Sequence, residues 1–178
     1  VDGHFEVLRR SQPISAIITN PDADEKLKHS LTKVIQMREF ASRTLKLPDN
    51  LSYTSYADLE RPFVVWNVFA SPELSLKLKE WCFVQAGCVN YRGFFSQAKA
   101  EEYAQELRNE GYDVYVGGVR AYSTLGWFSD PVLNTFISYS EMNLACLIFH
   151  ELAHQVVYVP GDSIFNESFA TAVEHEGV

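Results

Sequence analysis

Residues 150–154, His150-Glu151-Leu152-Ala153-His154, read HExxH. If it lies on a helix, His150 and His154 project from one face and can share one metal ion. Glu151 then lies beside the coordination position that the protein leaves open. The pattern predicts a catalytic metal centre on a helix.

Apolar residues flank this motif on both sides, with LACLIF at residues 144–149 and Val156-Val157 after it. A helix that is apolar nearly all round is buried. Two histidines and a glutamate inside it are costly unless they are paired or metal-bound. The alternative is a core helix in which these side chains make ordinary hydrogen bonds.

A third ligand is expected downstream of the motif. Glu167 follows His154 by 13 residues, and a break at Pro160-Gly161 allows a second helix to return to the histidines. Glu174 lies about two turns further along that helix, as a rival ligand or as a partner that orients an imidazole. Asp162 could also support the site from behind the ligands.

Two imidazoles and one carboxylate match a catalytic zinc site, so Zn²⁺ is the expected cofactor, held by His150, His154 and Glu167. A water on zinc loses its proton near neutral pH, and Glu151 can act as the general base that passes the proton to a leaving amine. The expected reaction is hydrolysis of an amide bond, with a peptide as substrate.

The length of 178 residues and an apolar content of 47% predict one globular domain, residues 1–178, with a sizeable core. The net charge of −8 without a Lys/Arg cluster argues against nucleic acid as a partner. No apolar run reaches the length of a membrane span. The first residue is Val1, and the sequence stops soon after Glu167, so we expect truncation at both ends.

The pattern of residues predicts an α+β fold with a helical N-terminal part, a small mixed or antiparallel sheet and two C-terminal helices that carry the metal site. Helices are expected near residues 5–8, from Pro13, over residues 23–45, over residues 97–110 with Ser96 as cap, from Ser140 to about Tyr158, and after Asp162. Strands are expected at residues 53–56, 63–69, 76–83, 89–94, 113–116 and 122–128, with a turn at Gly117-Gly118 and a short helix or turn at Asp130-Pro131.

Several features leave alternatives open. Tyr122 to Phe128 is either a sheet edge that binds an extended peptide or a buried strand with its Trp in the core. Cys82 and Cys88 bracket a short loop and form either a disulfide or two buried thiols. Cys146 is interpreted as a small buried hydrophobe, and His175 is expected to be solvated.

The combination of HELAHQ with FNESFAT resembles the gluzincin metallopeptidases, whose aminopeptidase members carry HELAHQ and a later NEGFAT-like segment. Over nearly its whole length the chain is similar to a family of bacterial zinc aminopeptidases of the cell envelope. The segments that carry this resemblance include YADL at residues 56–59, VWNV at residues 65–68, YRGFF at residues 91–95 and residues 122–133.

This resemblance implies a zincin-like site with zinc at His150, His154 and Glu167 and with Glu151 as base. It also implies a periplasmic location, often with attachment through a lipid anchor absent from this chain, and this location favours the disulfide alternative for Cys82 and Cys88. The interval from His154 to Glu167 is shorter than in the large aminopeptidases, so their domain layout does not carry over. The competing functions are a noncatalytic metal- or peptide-binding envelope module and a purely structural domain.

Overall fold

The computed structural model describes residues 2–83 and 87–178. Within them most helices lie towards the two ends of the chain, most strands lie between them and the strand pairing is mainly antiparallel, so the predicted α+β fold class is confirmed. In chain order the elements are α1 (Asp2–Arg10), β1 (Gln12–Pro13), α2 (Ile14–Thr19), α3 (Glu25–Arg43), β2 (Ser55–Ala57), β3 (Val65–Pro72), β4 (Trp81–Phe83), β5 (Gly87–Val89), β6 (Arg92–Phe94), α4 (Gln97–Asn109), β7 (Tyr112–Val119), β8 (Val132–Leu133), α5 (Glu141–Ala153) and α6 (Ser163–Gly177).

The chain divides into two compact units. Unit 1 comprises Val1–His4 and Pro62–Tyr122, and unit 2 comprises Phe5–Arg61 and Ser123–Val178. The prediction of one domain over residues 1–178 stays a prediction.

Unit 1 is an antiparallel sheet in the order β6-β3-β7 with α4 packed on one face. Residues of β3 alternate between the two faces, so every second side chain points at the helix. The core formed in this way consists of Trp66, Val68 and Ala70 from β3 with Ala100, Ala104 and Leu107 from α4.

The strands β4 and β5 pair with each other as a separate antiparallel hairpin. Cys82 lies opposite Cys88 in this pairing, and the two form a disulfide. The alternative of two buried thiols is therefore wrong. Residues 84–86, in the middle of the bracketed loop, lie outside the described residues.

Unit 2 contains the helices α2, α3, α5 and α6 and a small mixed sheet. Strand β2 pairs antiparallel with β1 and parallel with β8. Helix α5 packs against both α3 and α6. Its buried face consists of Leu144, Ala145, Ile148, Phe149, Leu152 and Ala153, so the motif helix is anchored in the core of this unit.

The starts of α4, α5 and α6 were predicted well because their caps are local. The side chain of Ser96 accepts a hydrogen bond from the Lys99 amide, and the side chain of Ser140 accepts one from the Asn143 amide. Asp162 caps α6 in the same way, through the amide of Phe165.

The end of the motif helix was predicted too late, because α5 stops at Ala153 and not near Tyr158. The side chain of the next residue but one, Gln155, accepts a hydrogen bond from Asn50 Nδ2 at 2.7 Å and donates one to Ser52 Oγ at 3.4 Å. The amides of Gln155 and Val156 bond three residues back, to the carbonyls of Leu152 and Ala153, so the helix tightens and ends here.

Several predicted strands were wrong in extent. Only Trp81–Phe83 of residues 76–83 is extended into a strand, and residues 89–94 divide between β5 and β6. The predicted turn at Gly117-Gly118 lies inside β7. A Cβ on Gly118 would overlap the ring of Phe63, so this glycine allows a close approach within the sheet.

The predicted strand from Tyr122 to Phe128 is a loop. Leu125 and Gly126 have φ values of 54° and 81°, which a strand does not allow. The amide of Thr124 donates to Asp130 Oδ2 at 2.8 Å, so a side chain replaces a sheet partner here. In place of the predicted helix or turn at Asp130-Pro131, the chain continues directly into β8.

No helix in the described part of the chain combines the length and the apolar character needed to cross a membrane.

Truncating the core side chain of Ile148 tests the burial of the motif helix. Ile148 is fully buried, at 0% exposure, so Ile148→Ala is expected to lower the free energy of unfolding by about 2–5 kcal/mol. Met142 lies on the same helix and is 66% exposed, so Met142→Ala is the matched control, with an expected change within about 0.5 kcal/mol. Urea unfolding followed by far-UV circular dichroism measures both values, and equal values would contradict the packing described for α5.

Candidate metal centre

The two motif histidines lie on one face of the last turn of α5. His150 is inside the helix and His154 is its C-cap residue, with its amide bonded to the carbonyl of His150. Their ring centroids are 4.7 Å apart with the planes at 84°, and the two Nε2 atoms are 3.1 Å apart. The spacing predicted from the sequence therefore brings both imidazoles to one point.

Glu167 reaches the same point from α6. One carboxylate oxygen, Oε2, lies 3.1 Å from His150 Nε2, and the other, Oε1, lies 3.6 Å from His154 Nε2. Gly161, at the predicted break, has a φ of 84°, which reverses the chain between the two helices.

The position of α6 is fixed by Asn166, which sequence reasoning did not single out. This side chain is 2% exposed and binds the backbone of Val159 twice. Its Oδ1 accepts from the Val159 amide at 2.8 Å, and its Nδ2 donates to the Val159 carbonyl at 2.9 Å. The clamp ties the linker to the first turn of α6, and Glu167 is the next residue.

The three side chains fit the geometry of a metal site. His150, His154 and Glu167 each offer one ligand atom, and these atoms lie within 4.8 Å of one another. A tetrahedral zinc ion with bonds of about 2.0–2.1 Å keeps neighbouring ligand atoms roughly 3.3 Å apart. The two Nε2 atoms are 3.1 Å apart, and the carboxylate of Glu167 approaches one of them with Oε2 at 3.1 Å and the other with Oε1 at 3.6 Å, on both sides of that value.

The position of the proton on the His150 ring also favours a metal site. Nδ1 of His150 lies 2.9 Å from Glu174 Oε2, so a proton on Nδ1 makes a hydrogen bond to that carboxylate. A neutral imidazole has only one such proton, which leaves a lone pair on Nε2 facing His154 and Glu167. One proton between these atoms can form a hydrogen bond to His154 or to Glu167, but not to both. A metal cation attracts the lone pairs of all three side chains.

Burial favours the neutral, metal-binding form of the second histidine. His154 is 7% exposed, and this burial lowers the pKa of its ring. The neighbouring His150 lowers the pKa further, and the negative charge of Glu167 acts in the opposite direction. A neutral imidazole is the form that binds metal ions.

Glu151 lies on α5 beside the histidines, as the motif predicts. Burial raises the pKa of its carboxyl group to about 7, and His150 acts against that rise. The charges of Asp130 and Glu167 raise the pKa as well, whereas a hydrogen bond with Ser123 lowers it. The carboxyl group is therefore within reach of the site and of the loop after Tyr122.

The loop after Tyr122 contacts Glu151, and the sequence did not reveal this contact. Ser123 contacts Glu151, and Asp130, which is 2% exposed, holds the loop through the amide of Thr124. Trp127 is 82% exposed, so the predicted alternatives of an edge strand and of a core tryptophan are both wrong. The signal available in the sequence was the spacing of Ser, Thr and Asp, which is typical of side-chain-capped turns.

The other candidate residues have separate places. Glu174 lies at Nδ1 of His150, on the opposite nitrogen from the converging ligand atoms, so it is not a rival ligand in this arrangement. Asp162 caps α6, which is a different role from supporting the metal ligands. His175 is exposed as predicted, and Cys146 is partly buried outside the ligand group.

The fold and the site together define an α+β protein in which two helices present a histidine–carboxylate group suited to a metal ion. Residues 1–178 match the family described as "Putative aminopeptidase", and the chain belongs to this family. Searches of curated proteins and of solved structures found no match. The membership gives the protein a peptidase-like function in coarse terms.

Removing the Asn166 clamp is expected to loosen the approach of α6 to the site. Asn166→Ala removes both hydrogen bonds to Val159, and each is expected to contribute about 0.5–1.5 kcal/mol to the free energy of unfolding. Amide hydrogen exchange at Val159 should also accelerate. Ser168→Ala, on an exposed position of the same helix, is the control that leaves this exchange unchanged. Unchanged exchange in Asn166→Ala would contradict the clamp.

Proposed function

We propose that the protein is a zinc-dependent peptidase, in which His150, His154 and Glu167 hold the metal and Glu151 is the general base. The observation that carries the proposal is the convergence of His150, His154 and Glu167, which each offer one ligand atom within 4.8 Å of the others. Membership of an aminopeptidase family supports the peptidase class.

Zinc is the metal that this set of side chains favours. Catalytic zinc sites commonly have three protein ligands of nitrogen and oxygen type and keep one position open. Bound zinc polarises a carbonyl group and makes a water molecule acidic near neutral pH. Glu167 is the most accessible of the three, at 63% side-chain exposure, so the ligand group has access to solvent on the carboxylate side.

Glu151 supplies the proton transfer. The carboxylate accepts a proton from the attacking water as the oxygen bonds to the peptide carbonyl carbon. It then delivers this proton to the nitrogen of the leaving amine as the C–N bond breaks. The contact between Ser123 and Glu151 restricts the carboxylate, so that its position relative to the histidines is set by the loop as well as by α5.

We also propose that the protein works in the periplasm or elsewhere in the cell envelope. The disulfide between Cys82 and Cys88 supports this location, because disulfides persist in oxidising compartments. The resemblance to envelope aminopeptidases supports it too, and it implies attachment through a lipid anchor. Fractionation of cells that produce the full-length protein tests this, and recovery in the cytoplasm with reduced cysteines would contradict it.

Replacing Glu151 separates metal binding from catalysis. Glu151→Gln is expected to keep about one zinc ion per chain, because it leaves all three ligands in place. It should lower kcat by at least about 10²-fold, since the general base is lost. Elemental analysis gives the zinc content, and release of amino acids from unblocked peptides gives the rate. Glu141→Gln, on an exposed position at the start of the same helix, is the matched control.

Three outcomes are distinguishable in that experiment. Full activity of Glu151→Gln would contradict the assigned role of the base. Zinc binding without cleavage of any peptide by the wild-type protein would favour the noncatalytic metal- or peptide-binding module. Absence of zinc from the wild-type protein would contradict the proposal as a whole.

Metal removal is expected to lower the Tm. A ligand that binds only the folded state stabilises it, by about 2.7 kcal/mol at a concentration 100 times Kd. Addition of zinc to chelator-treated protein should therefore raise the Tm. The double variant His150→Ala/His154→Ala is the control and should show no rise. Differential scanning calorimetry measures both, and an equal rise in the double variant would place zinc elsewhere.

A further inference from the structure

The ring of His150, on α5, lies between two carboxylates that both come from α6. Glu167 Oε2 is 3.1 Å from Nε2, and Glu174 Oε2 is 2.9 Å from Nδ1. The two glutamates are seven residues apart on α6, about 10.5 Å along its axis, and so project from nearly the same face. One helix thus supplies an acceptor to each nitrogen of the imidazole.

The two carboxylates differ in their exposure to water. The side chain of Glu174 is 21% exposed, whereas that of Glu167 is 63% exposed. Water competes less for the more buried carboxylate, so its hydrogen bond to the ring is the stronger of the two. The single proton of the neutral ring therefore belongs on Nδ1, facing Glu174, and the lone pair belongs on Nε2.

We propose that Glu174 is a positioning residue for the metal site: it accepts the Nδ1 proton of His150, and so fixes the tautomer and the orientation of the ring. Nε2 is then held ready as a metal ligand before any metal arrives. Histidines that bind metals are commonly oriented in this way by a partner at the second nitrogen. The inference rests on the proposed function, because it assigns His150 as a ligand.

The surroundings of Glu174 agree with this role. Burial raises the pKa of the Cys146 thiol, and the charge of Glu174 raises it further. Cys146 lies four residues before His150 on α5, so Glu174 also faces this part of the helix.

We expect Glu174 to orient His150 and not His154. Among residues 2–83 and 87–178, no hydrogen-bond partner is found for the buried Nδ1 of His154. A substitution of Glu174 should therefore change the zinc affinity through His150.

Zinc affinity is the first test, measured on the full chain by competition with a fluorescent zinc chelator. Glu174→Ala removes the acceptor and is expected to weaken zinc binding by about 10–100-fold. Glu174→Gln keeps an acceptor oxygen but loses the charge, and should fall between the wild-type protein and Glu174→Ala. Glu176→Ala, at an exposed position on the same helix, should bind zinc like the wild-type protein.

The tautomer is the second test, and it needs no metal. Nitrogen NMR of histidine-labelled, zinc-free protein at about pH 8.5, where free imidazole is neutral, reports which nitrogen of each ring has the proton. The wild-type protein should show the proton of His150 on Nδ1. In Glu174→Ala the population with the proton on Nε2 should increase. If Glu174 only stabilised the fold, Glu174→Ala would lower the Tm without changing the tautomer of His150.

The results separate this inference from the proposed function. Equal zinc affinity in all four proteins, or a wild-type His150 with its proton on Nε2, would overturn the role of Glu174. Failure of the wild-type protein to bind zinc would contradict the proposed function instead. In that case the NMR measurement still decides whether Glu174 directs the proton of His150.

Discussion

Three electron-pair donors face one another at the end of α5, and this convergence is the constraint on which the rest of unit 2 depends. Nε2 of His150, Nε2 of His154 and the carboxylate of Glu167 would repel one another without a cation or a shared proton between them. They are held together by the buried face of α5 and by the Asn166 clamp on α6. A cation bound among these atoms would remove that repulsion.

The carboxylates around the histidines have separate tasks because they differ in position and burial. Glu167 is the exposed carboxylate near both Nε2 atoms, Glu151 is the partly buried group beside the loop, and Glu174 lies at Nδ1 of His150. The sequence alone presents all three as acidic residues on helices. The packing of α6 against α5 decides which carboxylate faces the Nε2 lone pairs and which one faces the Nδ1 proton of His150.

The parts of the fold that the sequence predicted are those that local chemistry determines. The spacing of His150 and His154, the caps at Ser140 and Asp162, and the chain reversal at Gly161 all act within a few residues. These features led to the ligand group, and the structure brings the same three residues together.

The failures lie where distant residues decide the local conformation. The aromatic residues between Tyr122 and Phe128 favour a strand, but Asp130 binds the backbone of that segment and bends it into a loop. The contact of Ser123 with Glu151 arises from this loop. Where α5 ends, Gln155 contacts Asn50, about a hundred residues away in the chain, and no helical period could have shown this contact.

X-ray absorption spectroscopy of the zinc-loaded protein identifies the atoms that bind the metal. We expect a first shell of nitrogen and oxygen atoms at about 2.0–2.2 Å with the multiple-scattering pattern of two imidazoles. A sulfur atom at about 2.3 Å, or a shell without imidazole, would contradict a site made of His150, His154 and Glu167.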